Sequence, residues 1–247
     1  MKFSHYIVCL LCAAIPLHNY AQKKVTTVGI QIKPIFPLNF VNTGAQTVIQ
    51  NDVTFDLTLS SGFSGGMIIR HGFSDLLAFE TGINYVKRKY DLKITDGNFK
   101  GESQFRIIGY EIPLSFLVYI QLGEKFFMNA SMGHSLDMYA SDVQSSGTYF
   151  SHHSIRHHLF QSSVLANIGW EYRTEKSGYI YLGASYHRPF SYIYVSRVNY
   201  ERNGKDETIS TTLLGNYLTV DLRYFFHEDP KKKYKPANEN NEERLNF

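Results

Sequence analysis

The closing segment, Leu213-Leu-Gly-Asn-Tyr-Leu-Thr-Val-Asp-Leu-Arg-Tyr-Phe-Phe226, constrains the fold more than any other stretch. Leu214, Leu218, Val220, Leu222, Tyr224 and Phe226 share one parity; Gly215, Tyr217, Thr219, Asp221 and Arg223 share the other. Side chains in a strand alternate between faces, so one face is greasy and the other carries an acid, a base and hydroxyls. An apolar row opposite a charged one, ending in aromatics, is the pattern of a β-strand whose apolar side meets lipid.

The same two-residue rhythm recurs over 25–36, 57–71, 77–88, 104–120, 126–139, 159–173 and 180–187. Pro34 and Pro37 are expected to close the first of these, because proline cannot donate to a ladder. In the second, Leu59, Phe63, Met67 and Ile69 fall opposite Ser60, Gly62, Ser64, Gly66 and Arg70. Connections after the second, fourth and sixth strands are short, around 72–75, 122–125 and 174–178. Those at 37–56, around 96–98, at 141–158 and around 203–205 are longer and polar, with Asn51-Asp52 among the turn residues. An even strand count with alternating short and long connections predicts an all-β fold: an eight-stranded antiparallel up-and-down transmembrane β-barrel. Short turns and both termini are then periplasmic, and the long loops lie outside. Phe73, Tyr119, Phe126, Phe127, Tyr172, Tyr179, Phe225 and Phe226 cluster at the short-turn end, where they predict an aromatic girdle at the membrane boundary.

Alternation alone cannot tell inside from outside. A soluble eight-stranded ligand carrier would turn the apolar rows inward. The girdle, the loop rhythm and the glycines favour the membrane form: Gly62, Gly66, Gly82, Gly133, Gly169, Gly183 and Gly215 all share the charged face. Small residues suit the crowded interior of a narrow barrel.

The ends read differently. Lys2 followed by Tyr6-Ile-Val-Cys-Leu-Leu-Cys-Ala-Ala-Ile15 has the layout of a signal peptide over 1–21, with small Ala21 at the cleavage point. Both cysteines, Cys9 and Cys12, lie inside it, so the mature chain has no disulfide and no thiolate chemistry. The barrel is assigned to 22–226. Residues 227–247 are charged, proline-marked and nearly free of aliphatics, which predicts a disordered periplasmic tail in which Lys231 to Lys235 could dock a partner. A net charge of +3 with no basic block interleaved with aromatics sets nucleic acid aside as a partner.

Charge on the inner face gathers at Arg70, Glu80, Glu171, Arg173, Asp221 and Arg223, near the short turns, with Lys33, Glu111 and Asp137 farther up. Charges enclosed in a dry tube must pair, so the cluster is expected to be a salt-bridged plug. His152, His153, His157 and His158 in the third long loop are candidate metal ligands if that loop folds back on itself. An enzyme is not expected. His134 and Ser135 are adjacent and point to opposite faces, while Ser185 and His187 share a face but sit two residues apart, about 6.6 Å by strand rise. No cofactor is expected. The reading is a structural or interaction component of the outer membrane. A narrow pore or small-solute transporter is the alternative, and a lipid hydrolase a remote one.

With Glu80-Thr-Gly-Ile-Asn-Tyr85, Tyr110-Glu-Ile-Pro-Leu-Ser-Phe-Leu-Val-Tyr119 and Leu222-Arg-Tyr-Phe225, the chain resembles the PorT-like outer-membrane β-barrel family over residues 25–226. The resemblance implies a small barrel in the outer membrane of a Gram-negative cell, surrounded by its lipid. It also implies an aromatic-ended last strand read by the barrel-assembly machinery, and a possible periplasmic or secretion-system protein partner. One departure is that this chain continues some twenty residues beyond Phe226.

Overall fold

In the computed structural model, which describes residues 25–37, 46–74, 76–97, 99–174, 177–202 and 204–227, every regular element is a strand. The signal peptide and, beyond His227, the tail expected from the sequence lie outside the described residues. The strands are β1 (Thr26–Phe36), β2 (Gln46–Gln50), β3 (Val53–Gly72), β4 (Leu77–Asp96), β5 (Phe99–Gln121), β6 (Phe126–Tyr139) and β7 (Val143–Gly147). There follow β8 (Phe150–Arg156), β9 (Phe160–Arg173), β10 (Tyr179–Pro189), β11 (Tyr194–Arg202), β12 (Lys205–Leu213) and β13 (Tyr217–Phe225). Antiparallel pairing runs β1–β3–β4–β5–β6–β9–β10–β13 and returns to β1, so eight strands form a ring with β2 folded back on β3. These eight coincide with the eight segments of alternating sequence.

Polarity along β4 and β5 locates the membrane. Facing out, β5 presents Ile120, Val118, Phe116, Leu114, Ile112, Tyr110 and Ile108, then Arg106, Gln104, Glu102 and Lys100. The outer face of β4 changes at the same level, from Leu77, Phe79, Ile83 and Tyr85 to Lys87, Lys89, Asp91 and Lys93, and Lys87 is the register partner of Ile108. The inner face inverts in the opposite sense. Glu80, Asn84, Glu111 and Ser115 lie below the change, Arg88 and its register partner Ile107 lie at it, and Tyr90, Leu92, Ile94 and Phe105 lie above it, all buried. Twelve residue steps from Ile108 to Ile120 cover about 40 Å of strand, or about 30 Å of height at a typical barrel tilt of about 40°. That spans a hydrocarbon layer. Below the change the wall is made for lipid outside; above it, for water outside.

The upper part is where structure and sequence reading part company. The polar segment read as a loop at 141–158 contains β7 and β8, and the turn read around 203–205 joins β11 to β12; the four strands form a second sheet. Its inner face packs on the overhanging ends of β3, β4 and β5 and closes a cap over the barrel. Phe55 meets the Tyr200 ring edge-on at 6.3 Å, Phe99 stacks on Tyr200 at 5.6 Å, and Tyr139 meets Tyr194 at 5.7 Å. With Leu57, Leu92, Ile107, Val198 and Ile209 these rings make one continuous apolar core. Asn51 and Asp52, both with φ near +60° (50° and 65°), make the tight β2–β3 turn that Asn and Asp tolerate.

Four local expectations are corrected. Leu59 is buried, not lipid-facing with Phe63, because a bulge between Leu59 and Ser61 shifts the parity of β3. Pro34 does not end β1: the ladder to β3 runs through it, while pairing to β13 lapses at Lys33 and Pro34, on the side where the proline has no N–H to give. Half of the girdle points inward. Phe73, Phe126, Tyr172 and Phe226 are exposed, but Tyr119, Phe127 and Phe225 are buried and Tyr179 packs with them, since neighbours in a strand take opposite faces. The closing stretch is likewise not one strand from Leu213; it breaks at Gly215, whose φ of +75° lets the chain turn from cap to barrel.

Candidate functional site

The lumen inside the lipid-facing band carries two stacked polar layers. The lower one, by the short turns, joins Arg70 and Glu80, register partners on β3 and β4, to Glu171 and Arg173 on β9 and to Asp221 and Arg223 on β13. Arg70 reaches Glu80 at 3.1 Å and is paired with Glu171. Arg173 Nε donates to Glu171 at 2.6 Å. Arg223 bridges Glu80 at 2.6 Å and Asp221 at 2.7 Å, and Lys33 Nζ stands 3.5 Å from Asp221. All six residues named from sequence therefore meet in one buried network, joined by Lys33.

The inward aromatics complete that layer. Arg70 lies 3.8 Å from the Phe225 ring centre, Arg173 4.0 Å from Phe127, and Arg223 4.6 Å from Tyr181. A guanidinium paired on its edge and stacked on its face is held without water. The Tyr181 ring in turn covers the facing glycines Gly169 and Gly183; a Cβ on either would come within 2.4 Å of its hydroxyl. Interior glycines here make room for a neighbour's ring.

The upper layer cannot be assembled from alternation alone. Glu111 on β5 stands directly opposite Asp137 on β6, and His187 reaches over from β10 with Nε2 2.9 Å from Asp137 and 3.6 Å from Glu111. Tyr217 donates its hydroxyl to Glu111 and stacks on the His187 ring at 4.5 Å. Arg88, fully buried, donates to Gly215 O at 3.0 Å and to the Tyr139 hydroxyl at 3.1 Å, and among the described residues no carboxylate lies within ion-pair distance of it. Parity alone placed Glu111, Asp137 and His187 on the inner face. What parity lacks is the tilt and stagger of the strands, which decide who meets whom across the tube.

The four candidate histidines are not gathered into a site. His152 is buried in the cap, where its ring lies 4.3 Å from Phe105 and bonds Ser145 at 3.0 Å and Ser154 and Ser196 at 2.8 Å. His153 follows it on the opposite face of β8, and the rings of His157 and His158 lie tilted against each other, 3.9 Å between centres, beyond the strand's end. Burial, then the nearby His153, pushes His152 down to about 4. The folded cap thus keeps it neutral, while the unfolded chain takes up a proton below the ordinary histidine range. Cap stability is present above about pH 6.5 and is lost progressively between about 6.5 and 4. Amide exchange in β8 and β11 is expected to quicken at pH 5 relative to pH 7.5, and His152→Asn to flatten that difference.

Neither serine–histidine pair forms a catalytic dyad: His134 is exposed outside while Ser135 is buried, and the Ser185 hydroxyl donates to Asp221.

Residues 21–195 match the family described as outer membrane protein beta-barrel domain, well over half of the chain. The chain belongs to that family. Family membership agrees with the inverted polarity of the wall, so this is an outer-membrane β-barrel protein. By structure it is similar to the outer membrane protein OprG from Pseudomonas aeruginosa, at TM-score 0.53 and 12% identity, over 84% of this chain and 98% of OprG. The translocator domain of autotransporter NalP from Neisseria meningitidis follows at TM-score 0.35 and 9% identity, over 91% and 96% of the two chains. The outer membrane protease OmpT from Escherichia coli stands at 0.34 and 9%, over 85% and 99%. No curated protein matches by sequence. At 12% identity the OprG likeness speaks to the family's fold alone.

Proposed function

We propose that this family member is a closed, non-catalytic barrel that serves the outer membrane as a structural and interaction component. The supporting observation is that the tube is filled at two heights by opposite chemistry: a paired ionic layer with stacked rings below, and an apolar core under a folded sheet above. The space between, bounded by Gln31, Lys33, Glu111, His187 and Arg223, has about 30 Å³, room for about one or two waters. A solute would have to break both layers to pass.

In this reading the short turns and both termini face the periplasm and the cap faces outward, as in bacterial barrels generally. The cap is then the surface offered to partners, and the PorT-like sequence features favour service to a secretion or surface assembly. The aromatic-ended β13 suits recognition by the barrel-assembly machinery. Planar-bilayer recording tests the closed state against the pore alternative. Purified protein is expected to insert without a steady open level; sustained ohmic steps would replace the structural reading with the channel one.

A further inference from the structure

We propose that Glu111, Asp137 and His187 form a site for one first-row divalent cation, of the zinc or manganese kind, inside the lumen. This goes beyond the closed-barrel reading and does not require it. The two layers are not balanced alike in charge. In the lower layer each carboxylate faces a guanidinium or ammonium, but Glu111 and Asp137 are both buried and directly opposed on neighbouring strands. Like charges in that relation repel. Among the described residues, no lysine or arginine nitrogen lies within ion-pair distance of either; only the imidazole of His187 does.

The histidine itself points to a missing partner. It is 1% exposed, and neither of its ring nitrogens makes a hydrogen bond. Nε2 is 2.9 Å from Asp137 Oδ2, yet the carboxylate lies off the axis a ring N–H would use. Two ligands of one ion behave in this way, since each points at the ion and not at the other. Neighbouring ligands of an octahedral or tetrahedral first-row ion stand about 3.0–3.4 Å apart. The separations here, 2.9 and 3.6 Å, bracket that value, and one ligand atom from each residue falls within 4.8 Å of the others.

The surrounding groups hold the ligands as a metal site requires. Ser135 at 2.5 Å and Ser163 donate to the two oxygens of Asp137, Tyr217 donates to Glu111, and the Tyr217 ring fixes the imidazole plane by stacking. Such donors set carboxylate orientation and leave the other lone pairs free. The water-sized cavity is lined by Glu111 and His187, so a water can complete the coordination. Two carboxylates with one imidazole suit zinc or manganese better than copper(I), which prefers sulfur.

The test uses the full barrel, refolded in detergent after chelator treatment and then supplied with zinc or, as a spectroscopic probe, cobalt(II). Elemental analysis after gel filtration is expected to find about one zinc per folded chain, and cobalt to give visible d–d bands that zinc displaces. Glu111→Gln and Asp137→Asn, which keep size and hydrogen bonding, are expected to weaken binding at least about tenfold. Replacing His152, His153, His157 and His158 together should leave it unchanged. Heat-modifiable gel migration shows that each variant is folded. Failure of the folded wild type to retain metal, or retention undiminished in both carboxamide variants, would overturn the site.

Discussion

Replacing Glu171 with alanine is expected to destabilise the barrel by about 3–5 kcal/mol, the cost of leaving buried charge without its partner. Glu171 is wholly buried and is shared by two guanidiniums: it pairs with Arg70 and accepts from Arg173 Nε at 2.6 Å. Arg70 would keep Glu80, but Arg173 has no second carboxylate within ion-pair distance among the described residues, and its Nη2 already lacks a partner. Urea unfolding in detergent micelles or vesicles, followed by gel mobility, reads the difference. Glu171→Gln keeps an acceptor and is expected to cost less, about 1.5–3 kcal/mol. Pairing Glu171→Ala with Arg173→Met should recover part of the loss, because deleting both charges removes the uncompensated one. If alanine at 171 cost under about 1 kcal/mol, water would be solvating Arg173 and the lower layer would be a wet channel lining.

How far the sequence could be read follows from which physics is local. Parity is local, so the eight barrel segments, the outward rows of β1, β4, β5 and β10 and the inward position of every lower-layer charge could be read from alternation. The cap could not. Polar Gln144, Ser146 and Ser151 look like loop residues until Phe150, Val198, Tyr200 and Ile209 are seen to share a core with Phe55 and Phe105 across the chain. Those contacts depend on overhanging strand ends, and an outward row of Lys, Glu and Gln reads as a loop when the inner row is not counted. The bulge at Leu59–Ser61 erased the signal at the point where β3 leaves the membrane. Alternation puts Glu111 and Asp137 on the inner face and His187 on the face of Ser185, but their meeting depends on strand stagger, which no single segment encodes. The girdle divides for a simpler reason: Phe126 and Phe127, like Phe225 and Phe226, are neighbours in a strand and must take opposite faces.

Leu114→Arg is expected to cost about 2–4 kcal/mol, the largest effect of any single exposed substitution in β5, because it places a guanidinium at the middle of the acyl layer. Leu114 faces outward midway between Ile108 and Ile120, the ends of the apolar row, and an arginine there reaches neither boundary easily. The comparison that makes the experiment decisive is a series along the same face of the same strand. Ile108→Arg, beside Lys87 at the change of polarity, is expected to cost about 0–1 kcal/mol. Gln104→Arg, on the water-facing wall of the cap opposite Asp91, should stay within about 0.5 kcal/mol of wild type. Each substitution adds one positive charge and some volume, so a gradient in unfolding free energy from 104 to 114 reports chiefly depth in the bilayer. The same variants in detergent alone should show a compressed gradient, since a micelle thins around a buried charge more readily than a bilayer. A flat series in vesicles would mean that the row from Ile108 to Ile120 does not contact lipid, and with it the inside and outside of the barrel would have to be exchanged.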